Sequence, residues 1–180
     1  MPSNVAATVK FDLPEGTISL DGSSPRLLVP AEALVDLLGA AGEDAVLDFG
    51  HRVGTELGRR LAARFPEPAG AAIEAFTAAL GDELAVLGLG DVELERWGRG
   101  LVVRFRSTAL AGGGEELLAA VVESALQRAM ARDVRALVVA ADEAGVRLLV
   151  LNEGAAARAR AWLAEGADFV ETLDRLGGFR

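Results

Sequence analysis

Apolar residues alternate with polar ones at the start of the chain. Val9, Phe11 and Leu13 form one run and Ile18 and Leu20 another, with Pro14-Glu15-Gly16 between them. That pattern predicts a short β-hairpin, which Gly22-Ser23-Ser24-Pro25 ends. The period then becomes helical. Pro30 suits the first position of a helix carrying Ala33, Leu34, Leu37 and Leu38 on one side, and the stretch from Gly39 to Gly42 closes it. A long helix is predicted over 43–65 and must stop at Pro66-Glu67-Pro68, because proline cannot continue a helical ladder. A third helix fits 71–84, with Ile73, Phe76, Ala79 and Leu80 along one side.

After Gly88-Leu89-Gly90 the alternation returns, and Val92 and Leu94 on one strand face Leu101, Val103 and Phe105 on the next. A two-residue Arg99-Gly100 turn would set Glu95 opposite Arg104, Glu93 opposite Arg106 and Leu94 opposite Phe105. Gly112-Gly113-Gly114 leads into a helix over 115–132, whose Leu117, Leu118, Val121, Val122, Ala125, Leu126 and Met130 make a wide apolar side. A second hairpin follows, with strands 134–140 and 146–151 joined by Asp142-Glu143-Ala144-Gly145. Its aliphatic content predicts a central, well-covered place in the sheet. Asn152 is placed to cap a helix bearing Ala156, Ala159, Trp162 and Leu163, and the last segment adds Phe169, Val170, Leu173 and Leu176. The expected fold is α+β: helices packed on a four-stranded antiparallel sheet of two hairpins, with an N-terminal β-hairpin and C-terminal helices. We expect one domain over 1–180, comprising an extension (1–25), a core (31–151) and closing helices (153–180).

Within the long helix, Gly50, Gly54 and Gly58 recur every four residues and stack into a bare ridge. Glycine costs a helix interior about 1 kcal/mol relative to alanine, so close approach by another group must offset the ridge. Three uses fit: a packing seam, a dimer seam, or the wall of a narrow apolar ligand site. The residues singled out for the last two are Gly50, Gly54, Gly58, Val53 and Leu57 on this helix, with Val121, Val122 and Leu126 on the 115–132 helix.

Composition removes much chemistry. With no cysteine there is no thiolate catalysis, cysteine-bound zinc or iron–sulfur cluster, and the chain suits a reducing, cytoplasmic setting. Its start shows no basic region followed by an apolar stretch, and charges interrupt every apolar run well short of a membrane span. Eighteen basic against 27 acidic residues give a net charge of −9, with the arginines scattered, which argues against nucleic acid as a partner. The alanine, arginine and glycine bias is that expected of a GC-rich bacterial genome.

His51, the only histidine, has only Asp48, Thr55 and Asp44 within a helical turn, too few ligands for a metal. Ser107 and Ser124 lack a local base and a nucleophile elbow. Glu115-Glu116 and Asp142-Glu143 suit a helix start and a turn better than a catalytic dyad, since adjacent helical positions do not face each other. The triple glycine lacks the Gly-Lys-Ser/Thr of a phosphate loop. Trp97 and Trp162 are assigned to packing. No catalytic residue, metal or cofactor is expected.

The order of elements, together with Phe49-Gly50-His51-Arg52-Val53-Gly54, Gly88-Leu89-Gly90-Asp91-Val92-Glu93-Leu94, and the stretch from Glu123-Ser124-Ala125-Leu126 through Arg132-Asp133-Val134 to Gly145-Val146-Arg147-Leu148-Leu149-Val150, resembles the 4-vinyl-reductase-type, or hydrocarbon-binding, domain family. That fold is shared with TRAPP vesicle-tethering subunits. The resemblance covers about 31–151. Many members carry cysteines in the final hairpin, where this chain has Ala140-Ala141 and Leu148-Leu149, so no metal or acyl-cysteine role carries over. It implies a non-catalytic, often dimeric module that encloses a small lipophilic ligand between the glycine helix and the 115–132 helix, or acts as a regulatory domain. The alternative is a homodimeric scaffold or adaptor that recruits protein partners. A subunit contributing part of an active site is a third reading.

Overall fold

Both periodicities read from the sequence are realised in a computed structural model that describes residues 9–20, 25–65, 73–97 and 100–177. The predicted stops at Gly22-Ser23-Ser24 and Pro66-Glu67-Pro68, the first residues of the 71–84 helix and residues 98–99 of the first core turn lie outside them, as does the side chain of Trp97. The elements run β1 (Val9–Asp12), β2 (Thr17–Leu20), α1 (Ala31–Ala41), α2 (Glu43–Arg64), α3 (Ile73–Val86), β3 (Asp91–Trp97) and β4 (Gly100–Ser107). They continue with α4 (Glu115–Met130), β5 (Arg135–Asp142), β6 (Gly145–Leu151), α5 (Glu153–Ala164) and α6 (Phe169–Arg175). The fold is α+β as expected: β1 and β2 pair as a separate hairpin, and the other four strands form one antiparallel sheet in the order β3-β4-β6-β5.

Strand alternation divides the sheet into two covered faces. Val103, Phe105, Ala136, Val146, Leu148 and Val150 point toward α2, α3 and α4, whereas Val102, Leu137, Leu149 and Leu151 meet Ala156 and Ala159 of α5 and Leu173 of α6. Helix α4 lies between α2 and the sheet, so the run from Leu117 to Leu126 is buried all round, Glu123 and Ser124 included. Asn152 caps α5 as expected, its Oδ1 accepting from the Ala155 amide at 2.9 Å.

Three local expectations are corrected: the register of the first core hairpin, the place of β5 and two helix ends. The first core hairpin pairs Trp97 with Gly100, so Glu93 sits opposite Arg104 and Leu94 opposite Val103, two residues from the expected register. The expected ion pairs nevertheless form diagonally, Arg106–Glu93 at 2.8 Å and Arg104–Glu95 at 3.6 Å, because long side chains reach the next pair along the ladder. Of the second hairpin only β6 is central; β5 is an edge strand whose aliphatic residues are covered by α4 and α5 instead of by another strand. Gly39 is inside α1, and α4 ends at Met130, with Ala131 in the left-handed region at φ 49°. The N-terminal hairpin does not bury its apolar side, since Phe11 is 58% and Leu13 82% exposed while Leu20 at its end is buried.

Candidate functional site

The glycine ridge is where α2 and α4 touch. A β-carbon placed on Gly54 would lie 2.3 Å from the Val121 carbonyl oxygen and 2.9 Å from Ser124 Cβ; on Gly58 it would lie 2.6 Å from the Ala125 carbonyl oxygen, and on Gly50 2.6 Å from Ala120 Cβ. No ligand fits between surfaces that exclude a methyl group. The position expected for a ligand, directly between the two helices, is therefore filled by backbone.

An open space lies one step around α2. Phe49, Val53, Glu56, Leu57 and Arg60 recur at i, i+4, i+7, i+8 and i+11, so they share a stripe next to the glycines. They form one wall of a cavity of about 240 Å³. Leu34 of α1, Glu83 of α3 and Leu117 and Val121 of α4 contribute to the others, with Leu87 and Leu89 beyond α3. Leu20, Arg26 and Leu27 close the remaining side. Thus Val53, Leu57 and Val121 of the expected set come together at the cavity. Gly50, Gly54 and Gly58 are in the seam beside it, Val122 is buried in the core, and Leu126 lines a separate groove of about 550 Å³ near Met130 and Leu151.

Two charged clusters interrupt this mostly aliphatic wall. Arg60 Nε donates to Glu83 Oε2 at 2.6 Å, and Arg64 Nη2 lies 3.0 Å from Glu83 Oε1. Glu83 is only 2% exposed, so its charge depends on these two arginines. Nearer the surface, the Arg26 guanidinium holds the Glu56 carboxylate with both nitrogens, Nη1 at 3.1 Å from Oε2 and Nη2 on Oε1. That hydrogen bonding keeps the Glu56 carboxyl below the ordinary glutamate range and raises Arg26.

None of these five charged residues was singled out from the sequence. A signal was present: Phe76, Ala79, Leu80, Glu83 and Leu84 follow i, i+3, i+4, i+7 and i+8, so Glu83 is an acid on the apolar stripe of α3. Arg26 carried no comparable signal, because its partner is thirty residues away on another element.

The other candidate chemistry resolves into structure. His51 is half-exposed, with Nε2 3.9 Å from Glu123 Oε1. Glu123 in turn accepts from the Ala136 amide at 3.0 Å and from Arg135 Nη1 at 2.9 Å, which ties α4 to β5. Ser124 is buried in the glycine seam, and Ser107 pairs with Asp91 across β3 and β4. Glu115 folds back on the triple glycine and accepts from the amides of Gly112 at 2.7 Å and Gly113 at 2.9 Å, where an anion would otherwise bind. Glu116 lines a groove of about 480 Å³ with Glu43, His51 and Arg160, and partial burial raises its carboxyl above the ordinary range. Trp162 is half-buried, with the Arg175 guanidinium 5.7 Å from its ring centre. The described residues hold no group of three or more metal-ligating side chains, and none of their helices is long and apolar enough to cross a membrane.

No protein-family model matches the chain, and no curated protein matches it in sequence. Its fold is similar to that of solved structures. One is the crystal structure of the phenol-responsive sensory domain of the transcription activator PoxR with phenol, matched with a TM-score of 0.63 at 13% identity over 82% of this chain and 86% of that one. At that identity, what the two share is the fold.

Proposed function

We propose that this chain is a non-catalytic regulatory domain that binds one small, mostly apolar molecule in the cavity beside the glycine seam. The observation that carries the reading is the cavity itself: about 240 Å³, walled by Leu20, Leu34, Val53, Leu57, Leu87 and Val121, in a fold similar to that of a phenol-responsive sensory domain. An apolar cavity of about 150 Å³ holds benzene, so this one suits a single ring bearing a small substituent. Its charges are already paired, Arg26 with Glu56 and Arg60 with Glu83. A neutral hydroxyl, which both donates and accepts, can join such a pair without leaving a charge unmatched, whereas a carboxylate or an amine cannot.

Titration calorimetry with phenol, benzyl alcohol, toluene and benzoate tests this. The hydroxylated rings should bind in a saturable, one-to-one manner and benzoate should not. Native mass spectrometry of gently extracted protein should find a bound molecule of that size. Failure of every compound to bind, together with empty extracted protein, would remove the reading.

A homodimeric scaffold is the second reading. Leu27, Leu28, Val29, Leu37 and Phe49 are all exposed, Leu27 and Phe49 at the cavity itself, and apolar surface of this kind favours contact with a second copy. Light scattering across a concentration series decides it: a monomer at every concentration would exclude the dimer.

A further inference from the structure

The cavity has one wall that differs from the others. Three sides are helical and fixed by core packing. The fourth is made by Leu20 at the end of β2 and by residues 25–29 ahead of α1, a strap of which Arg26 and Leu27 line the cavity. Arg26 ties this strap in two directions. The Arg26 amide donates to the Ile18 carbonyl at 2.7 Å, which joins it to the N-terminal hairpin, and the Arg26 side chain crosses to Glu56 on α2. Beyond Arg26 the strap gains little from burial, since Leu27, Leu28 and Val29 are 88%, 77% and 53% exposed.

We propose that residues 25–29 are a latched strap over the cavity, held shut by Arg26 on Glu56, and that a bound molecule is reported to the N-terminal hairpin through this strap. The inference rests on the cavity being the ligand site. Arg26 and Glu56 are both partly solvent-exposed, with side chains 29% and 38% accessible. Water competes effectively for such a pair, so opening is thermally accessible, whereas parting α2 from α4 is not. A molecule in the cavity touches Arg26 and Leu27 only when the strap is shut. Those contacts are the differential affinity that a population shift requires. The hairpin then follows, because Leu20 terminates β2 and Arg26 is bridged to Ile18.

Hydrogen exchange of the full chain, read by mass spectrometry, tests the latch with and without ligand. In unliganded protein, Arg26→Met and Glu56→Gln should each speed exchange at residues 17–20 and 25–29 by roughly fivefold and leave α2 and α4 unchanged. Reversing the pair, Arg26→Glu with Glu56→Arg, should restore the wild-type rate. Phenol at saturation should slow exchange in the same residues of the wild type, and its dissociation should accelerate in the two single variants. Equal exchange in wild type and Arg26→Met, or a reversed pair no better than the single variants, would overturn the latch. Slowed exchange confined to the helices on phenol binding would overturn the coupling. If phenol does not bind the wild type, the ligand-site reading fails for that probe and the coupling with it, while the unliganded arm still decides the latch.

Discussion

On one face of α2, Gly50, Gly54 and Gly58 meet α4 with no room for a methyl group; on the adjacent face, Phe49, Val53 and Leu57 stand beside a cavity of about 240 Å³. The same helix packs backbone-close on α4 and borders an open space. The two facts are connected. Close approach at the glycines fixes the distance between the helix axes, and side chains placed to either side cannot interdigitate to fill every gap that this distance leaves. A glycine ridge thus locates the hinge line of the packing, and a ligand site, where there is one, lies beside it.

The largest test of this contrast is Gly54→Ala. Its β-carbon would press on the Val121 carbonyl, which is helix backbone and cannot rotate away, so α2 and α4 must separate and Leu57 and Leu61 lose their packing. We expect a loss at or above the upper end of the ~1–3 kcal/mol typical of overpacking, read by denaturant unfolding. Gly81→Ala in α3 is the control. There the nearest atom to an added β-carbon is the Val92 carbonyl oxygen at 3.8 Å, so the helix should gain roughly 0.5–1 kcal/mol from alanine's propensity. If both substitutions stabilise equally, helix propensity and not the seam controls α2.

On the open face, Val53→Phe should leave the midpoint of unfolding within experimental scatter, since the added ring enters empty space. Binding of a single-ring compound should weaken by roughly tenfold or more because that space is the site. An unfolding midpoint that falls sharply, with binding retained, would reverse the assignment of the two faces.

Hydropathy made the layers legible because burial on each sheet face demands alternation, and α4 declared itself by an apolar side that wraps almost the whole helix. Gly54 announced a close contact but not its partner, since four-residue spacing is the same whether a helix, a second copy or a ligand approaches. The register of the first core hairpin was misjudged because Glu93, Glu95, Arg104 and Arg106 satisfy one another either opposite or diagonally. The latch was not legible. Arg26 and Glu56 belong to segments whose approach depends on how the hairpin folds over α2, and no local period encodes that.

The smallest expected effect contrasts two carboxylates bound to different surroundings. Glu56 is held below its ordinary range by Arg26, so its contribution to stability is present above the unfolded-state value and fades as pH falls through the folded one. Glu116 runs the other way. Burial raises its carboxyl first, and Glu43 adds to this, so the fold favours its protonated form and stability declines as pH rises from the ordinary glutamate value through the raised one. Glu116→Gln removes that decline and should stabilise the protein near neutral pH by only a few tenths of a kcal/mol, because the groove is half open to water. Unfolding measured between about pH 4 and pH 8 should show the variant gaining on wild type as pH rises. Glu56→Gln, followed down to about pH 2, should lose ground to wild type as pH rises to the ordinary glutamate value. Parallel curves for both variants would mean that neither carboxylate differs from its unfolded state, and that the polar rims of cavity and groove are equally wet.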